Sequence, residues 1–243
     1  DISFSKIRQY ILMLYIYPIG HLLIGITELL LIGWSIRLWQ SSKILATGIL
    51  PLLLISTTYD NLVLAFGGWL GEGELLYDLT QIRFLLHYLV LPFLVVIGVE
   101  FCHRTGFLAI APIVRNLSWM IAIGLGLLDY FNSYLNLSLV PTEFLGVLRY
   151  TQGQPAHPPI VAISVNLFLL AISIAICVRL KQKGFCLLWG TLICLLGNAI
   201  PLSQVGTLVP NASELVLGIT LLLTEQYLQV KPSTQEAMIS SQS

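Results

Sequence analysis

Charge is what this sequence has least of. Its 243 residues hold 12 Lys and Arg and 12 Asp and Glu, 10% in all, against 56% hydrophobic residues and a mean hydropathy of +0.86. A soluble domain carries about 25% charged residues. So few charges cannot cover a surface that faces water, and the sequence predicts an integral membrane protein with lipid as its main solvent. The charges also cancel, with a pI near 7.1, so no basic field is present to attract nucleic acid. Cysteine is scarce as well. Cys102, Cys177, Cys186 and Cys194 form no CxxC pair, which argues against a disulfide framework and a zinc site. In or beside apolar runs, such thiols behave as small hydrophobes. The GxSxG, HExxH and P-loop signatures are missing too. No cleavable signal is expected, because the opening DISFSKIRQ is polar and the first apolar stretch is too long for one.

What the chain does have is long apolar runs. Seven of them, at 17–39, 44–67, 76–101, 107–130, 159–180, 184–201 and 205–228, are each about long enough to cross a ~30 Å hydrocarbon core as a helix. The expected fold is therefore all-α, a seven-helix transmembrane bundle. Residues 1–16 mix charges and aromatics and predict a short interfacial helix. The polar stretch 229–243 is expected to be disordered. The long connection 131–158 contains Pro141, Pro155 and Pro158, with Pro159 at its edge. It is expected to be an ordered loop or lid with a short helix near PTEFLGVLRY. Basic residues concentrate in alternate short links (Arg37 and Lys43, Arg104, then Arg179, Lys181 and Lys183), whereas the link GWLGEGELLYD is acidic. The positive-inside rule then places the N-terminus outside and the C-terminus in the cytoplasm or stroma. Lys6 and Arg8 run counter to that placement.

One segment breaks the apolar pattern. TTYDNLVLAFGG, Thr57 to Gly68, carries Asp60 and Asn61 deep inside the second run. At 1.5 Å per residue, hairpin geometry sets Asp60 opposite Gln81, with Arg83 within reach, and sets His21 beside Asn61. His87 follows Arg83 at i+4 on the same helix face. Glu28 lies at i+7 from His21 with Gly25 between them, a face on which another helix or a ligand can approach closely. Asn166, Asn198, Asn211 and Glu214 fall in the same half of the bundle, whereas Glu100, Arg115 and Asn116 lie toward the other end. Pro51, Pro92, Pro112 and Pro210 are expected to kink their helices.

A charge within a membrane costs about 2.5–3.5 kcal/mol on insertion scales, so such groups are paired and often mark a site. Asp60, Arg83, His87, His21, Asn61, Glu28, Glu214 and Asn211 are the candidate ligand- or proton-binding residues, and none is assigned a catalytic role. Two plainer readings stand beside this one. An Asp60–Arg83 pair can fix helix register, and lone asparagines such as Asn166 and Asn198 commonly cross-link helices. His21, Asp60 and His87 could converge on a metal, but no spacing requires it. His21 and His87 could bracket a haem, although one histidine per helix is common background, and a bound pigment is open on the same footing. The seventh run has no lysine for a retinal Schiff base and no histidine to complete the zinc set of seven-helix membrane hydrolases. Three functions remain. The polar chamber binds or passes a small molecule, ion or proton. Alternatively, the chain is an accessory or assembly subunit of a membrane complex. As a third reading it is an enzyme acting on a lipid or isoprenoid. Expected partners are membrane lipids and other membrane subunits.

Overall fold

In a computed structural model of the chain, buried polar side chains sit inside together with a leucine-rich core, while many large apolar side chains face outward. The structure describes residues 4–106, 112–153 and 159–240, with side chains only between residues 14 and 230 and not at 182–183. His21, Glu28 and Glu225 are 0% exposed, whereas Leu30 is 73% and Met120 70% exposed. Water around such an outer surface would be in contact with many large apolar groups. Hydrocarbon carries no such penalty, and its absence of hydrogen-bond partners drives the polar groups inside.

The helices are α1 (Phe4–Ser42), α2 (Ile49–Leu70), α3 (Glu74–Val90), α4 (Leu94–Thr105), α5 (Pro112–Asp129), α6 (Ile160–Leu180), α7 (Phe185–Ala199), the single turn α8 (Leu202–Val205) and α9 (Leu208–Ser240). Among the described residues, five helical stretches are long and apolar enough to cross a membrane: Leu14–Ser42, Ala46–Leu70, Glu74–Thr105, Ile160–Leu180 and Leu208–Val230. α7 has only 15 residues and α5 has 18. The expected start of the fourth run, 107–111, lies outside the described residues, as do Pro155 and Pro158.

Several local expectations need correction. The N-terminal segment is not a separate interfacial helix, because α1 is continuous from Phe4 with Pro18 inside it. The stretch 229–240, expected to be disordered, continues α9 to Ser240. Of the four prolines expected to kink helices, only Pro92 interrupts one, in a 3₁₀ turn Leu91–Phe93 between α3 and α4. Pro51, Pro112 and Pro210 fall in the first turns of α2, α5 and α9, where the amide they lack would have had no intrahelical partner.

The long connection contains no short helix at PTEFLGVLRY. It forms an antiparallel hairpin instead, with β1 (Leu139–Phe144) paired to β2 (Val147–Gln152) in the register Phe144↔Val147 through Leu139↔Gln152. The two turn residues, Leu145 and Gly146, both have positive φ (47° and 82°), the conformation of a type I′ hairpin turn. β2 reads V-L-R-Y-T-Q, a period-2 pattern, and Val147 and Arg149 are its buried residues. The hairpin closes one end of the helices. Its Phe144 meets Tyr17 of α1 edge-on at 5.4 Å between centroids, and Tyr150 meets Tyr77 of α3 at 5.3 Å. The end of α2 is glycine because the hairpin backbone lies against it, with the Leu148 carbonyl at the place a Gly67 Cβ would occupy. A backbone carbonyl cannot rotate away. Gly67→Ala is thus expected to displace the hairpin at a cost of about 1–3 kcal/mol, measurable as faster proteolysis between residues 139 and 152.

Candidate functional site

The hairpin end of the helices holds one connected polar network. α2 and α3 are joined by only Gly71–Gly73, so residues equidistant from that link come face to face. Asp60 Oδ1 lies 2.8 Å from Arg83 Nε, and its other oxygen accepts a hydrogen bond from Asn211 Nδ2 at 2.6 Å. Asn61 is the hub. Its Nδ2 donates to Glu28 Oε2 at 3.1 Å and to the Thr57 carbonyl at 3.0 Å. Its Oδ1 accepts from Asn211 Nδ2 at 3.1 Å and lies 2.9 Å from His21 Nδ1. An amide oxygen only accepts, which puts the imidazole proton on Nδ1. His21 Nε2 then accepts from the Thr207 hydroxyl at 2.9 Å. Gly25 permits this closeness, since a Cβ there would sit 3.2 Å from Leu62 and 3.6 Å from the Asn61 Cβ.

Six of the eight residues singled out from the sequence therefore meet in one cluster: His21, Glu28, Asp60, Asn61, Arg83 and Asn211. Both nitrogens of His21 are occupied, so neither is free for a haem iron or another metal. Among the described residues, no group of three or more His, Cys, Asp or Glu is placed to hold a metal ion. The polar groups of the cluster pair largely with one another. Among the described residues, only Glu28 Oε1 and Arg83 Nη1 within it are buried without a hydrogen-bond partner. The Arg83 guanidinium also stacks 5.0 Å above the Phe84 ring, a cation–π contact that offsets part of its desolvation.

No protein-family model matches the chain, and no curated protein does. The site therefore has to be read from its own chemistry.

His87 and Glu214, the remaining two candidates, face a different space. A cavity of about 500 Å³ lies between α2, α6, α7 and α9, and the α3–α4 break forms one of its walls. It is lined mainly by leucines, including Leu50, Leu54, Leu94, Leu217, Leu221 and Leu222, with polar groups at His87, Glu214, Asn166, Asn198, Ser56 and Thr57. The Pro92 turn helps to open it, placing Leu91 and Leu94 on that wall. The His87 ring stands edge-on to Tyr88, with centroids 6.4 Å apart, and has no hydrogen-bond partner among the described residues. Asn198 reaches Glu214 of α9 by a side-chain hydrogen bond, and both asparagines also bond within their own helices. Each donates to the carbonyl four residues earlier in its own helix, Ala162 at 2.9 Å and Cys194 at 3.0 Å. The one link between α6 and α7 that they supply is a long thiol contact, Cys194 Sγ to Asn166 Oδ1 at 3.9 Å.

Two members of the polar end were not read from the sequence. Thr207 sits in the link before α9 and gave no periodic signal. Arg149 is 6% exposed on β2, and strand alternation would have turned it inward had the segment been read as a strand. Burial, and then the neighbouring Arg83 guanidinium, push Arg149 down to about 10, with Asp60 acting in the opposite direction. The far end of the helices is also richer in charge than expected. Arg104 Nη1 meets the fully buried Glu225 at 2.6 Å, and Arg115 Nη2 meets Glu100 at 2.9 Å. Gln229 Nε2 ties Glu225 to the Leu38 carbonyl, at 2.7 and 2.9 Å.

Proposed function

We propose that the chain is a multi-pass membrane protein of seven transmembrane helices whose cavity beside His87 and Glu214 binds or passes a small amphiphilic molecule. The cavity carries this reading. Its volume of about 500 Å³ falls in the range of roughly 300–1,000 Å³ typical of small-molecule sites, and so does its make-up of apolar wall with a few convergent polar groups. The Asp60–Arg83–Asn211 cluster is then a buttress, holding α2, α3 and α9 in the positions that shape the cavity. The short α5 and α7 complete the seven spans. The basic residues Arg37, Lys43, Arg104 and Arg179 lie at the end opposite the hairpin, which supports a hairpin facing away from the cytoplasm and a cytoplasmic C-terminus.

The self-paired cluster favours a second reading, an accessory subunit of a membrane complex in which the polar pairs serve assembly alone. An enzyme reading has less support, since the Thr207 hydroxyl that meets His21 Nε2 at 2.9 Å belongs to the buried cluster, with Thr207 8% and His21 0% exposed. Filling the cavity separates the first two. Ala162 and Gly218 both line it, and Ala162→Phe with Gly218→Leu would occupy its space without touching the cluster. The expected result is at least a tenfold loss of small molecules extracted with the detergent-purified protein and seen by mass spectrometry, at an unchanged unfolding midpoint. An identical extract from both proteins would favour the subunit reading.

A further inference from the structure

The cavity holds a carboxyl that no cation answers. Glu214 lines it among leucines, and among the described residues no lysine or arginine does. The groups around Glu214 can be named helix by helix. Glu28 of α1 and Asp60 of α2 are acids, and Arg83 of α3 is a cation. α7 offers the Asn198 amide and the buried Cys194 thiol. His87 of α3, Leu94 of α4 and Asn166 of α6 line the same space. Every cation near it is already engaged. Arg83 Nε lies 2.8 Å from Asp60, Arg149 bears on that same pair, and Arg104 of α4 meets Glu225. Glu28 and Glu214 are thus acids without a cation of their own. Glu28 is 0% exposed, and its Oε2 accepts from the Asn61 amide. Glu214 alone of the two opens to the cavity. Charge in such a place is costly unless it is matched, so a carboxyl there carries either a proton or a cation.

We infer that the cavity takes up a lipophilic organic cation in exchange for a proton on Glu214. This rests on the small-molecule reading above and adds the charge of the ligand. Without a guest, the Glu214 carboxyl keeps its proton. When the cation enters, the O–H bond breaks and the proton leaves to water. The carboxylate that remains neutralises the guest, so the buried charge is the same before and after, and no electrons move. A lipophilic anion would instead require a positive His87. That imidazole lies one helical turn from the Arg83 guanidinium, and like charges at that spacing repel. The way in is lateral. Ile163 (46% exposed) and the exposed Ala199 border the cavity between α6 and α7, on the apolar outer surface where a lipophilic cation would collect.

Three probes of similar shape and different charge test this: tetraphenylphosphonium, neutral triphenylphosphine oxide and anionic tetraphenylborate, bound to the full chain in an uncharged detergent at pH 6.5. The Ala162→Phe/Gly218→Leu protein gives the background from partition into the micelle. Calorimetry in two buffers of different ionisation enthalpy counts the protons. Tetraphenylphosphonium is expected to bind at least tenfold more tightly than either of the others. It should release about one proton per cation bound, so that its affinity rises by up to about tenfold per pH unit. Glu214→Gln is expected to abolish the release and to flatten that pH dependence. Equal binding of the three probes above background would leave the cavity reading standing and overturn the choice of a cation. Tighter binding of either other probe would overturn it as well. Cation binding with no proton released would overturn the exchange. Release that survives in Glu214→Gln but disappears in His87→Gln would move the proton to the imidazole and overturn the assignment to Glu214. No probe bound above background would sink the inference, and the small-molecule reading falls with it only if the extraction comparison also shows no difference. Should Glu214→Gln fail to fold, the probe ranking and proton count on the unaltered protein, with the count in His87→Gln beside them, still decide the matter.

Discussion

Asp60→Asn is expected to destabilise the protein by about 3–5 kcal/mol, the range for breaking a buried ion pair, and to do so more severely than Arg83→Gln. The two substitutions remove the same contact but leave different orphans. Without Asp60, the Arg83 guanidinium keeps a side chain only 10% exposed, beside the second buried cation, Arg149. Without Arg83, Asp60 still has the Asn211 amide at 2.6 Å and a side chain 26% exposed, so water and a hydrogen bond take up part of the loss. Arg83→Gln should therefore cost about half as much. At about 2–4 °C per kcal/mol for a chain of this size, Asp60→Asn lowers the unfolding midpoint in detergent by about 6–20 °C. The double variant should resemble Arg83→Gln alone, since the stranded cation is gone. Equal losses for the two single variants, or a larger one for Arg83→Gln, would contradict this account of the pair.

Asn61→Leu is the second large effect. Leucine fills a similar volume, so the helices need not move, but four hydrogen bonds disappear together. Counted as bonds, at the ~0.6 kcal/mol average for side-chain pairs between membrane helices, the loss is only about 2 kcal/mol. Counted as orphans, three buried groups (His21, Glu28 and one Asn211 donor) are left short of a partner, at about 1–3 kcal/mol each. The second estimate is the relevant one here, because His21 and Glu28 are 0% exposed and have no water to fall back on. The expected loss is therefore about 4 kcal/mol or more, read as a fall in the unfolding midpoint larger than that of Asn211→Leu. Asn211 leaves His21 and Glu28 with their Asn61 contacts, and a loss no larger for Asn61→Leu would show that the hub is not cooperative.

The polar cluster was legible because depth in a helical hairpin is arithmetic. Asp60 and Arg83 lie on either side of one tight link, and counting back from it places them together whatever the rest of the fold does. The same counting put His21 beside Asn61. Division of labour was not legible. His87 lies one turn from Arg83 on the same helix and reads as part of the same set, and only the packing of α6, α7 and α9 shows that it faces a separate space. The hairpin was missed because its strands are short and the first contains Pro141, and the leucines and glycine of FLGVLRY were read as a helical turn when two positive-φ residues make them a β-turn. The Arg104–Glu225 pair was missed for the opposite reason. Its partners are 121 residues apart, and no short link sets their relative depth.

The three-residue link between α2 and α3 also bears on how the chain could enter a bilayer. An aspartate and an arginine that crossed separately would each meet hydrocarbon alone, at about 2.5–3.5 kcal/mol apiece. Joined by Gly71–Gly73, the two helices can be delivered as one hairpin, already neutralised through the 2.8 Å Asp60–Arg83 contact. Lengthening that link would uncouple their arrival, and the defect would appear during biogenesis, as failed integration of α3, before any folded protein existed to be measured.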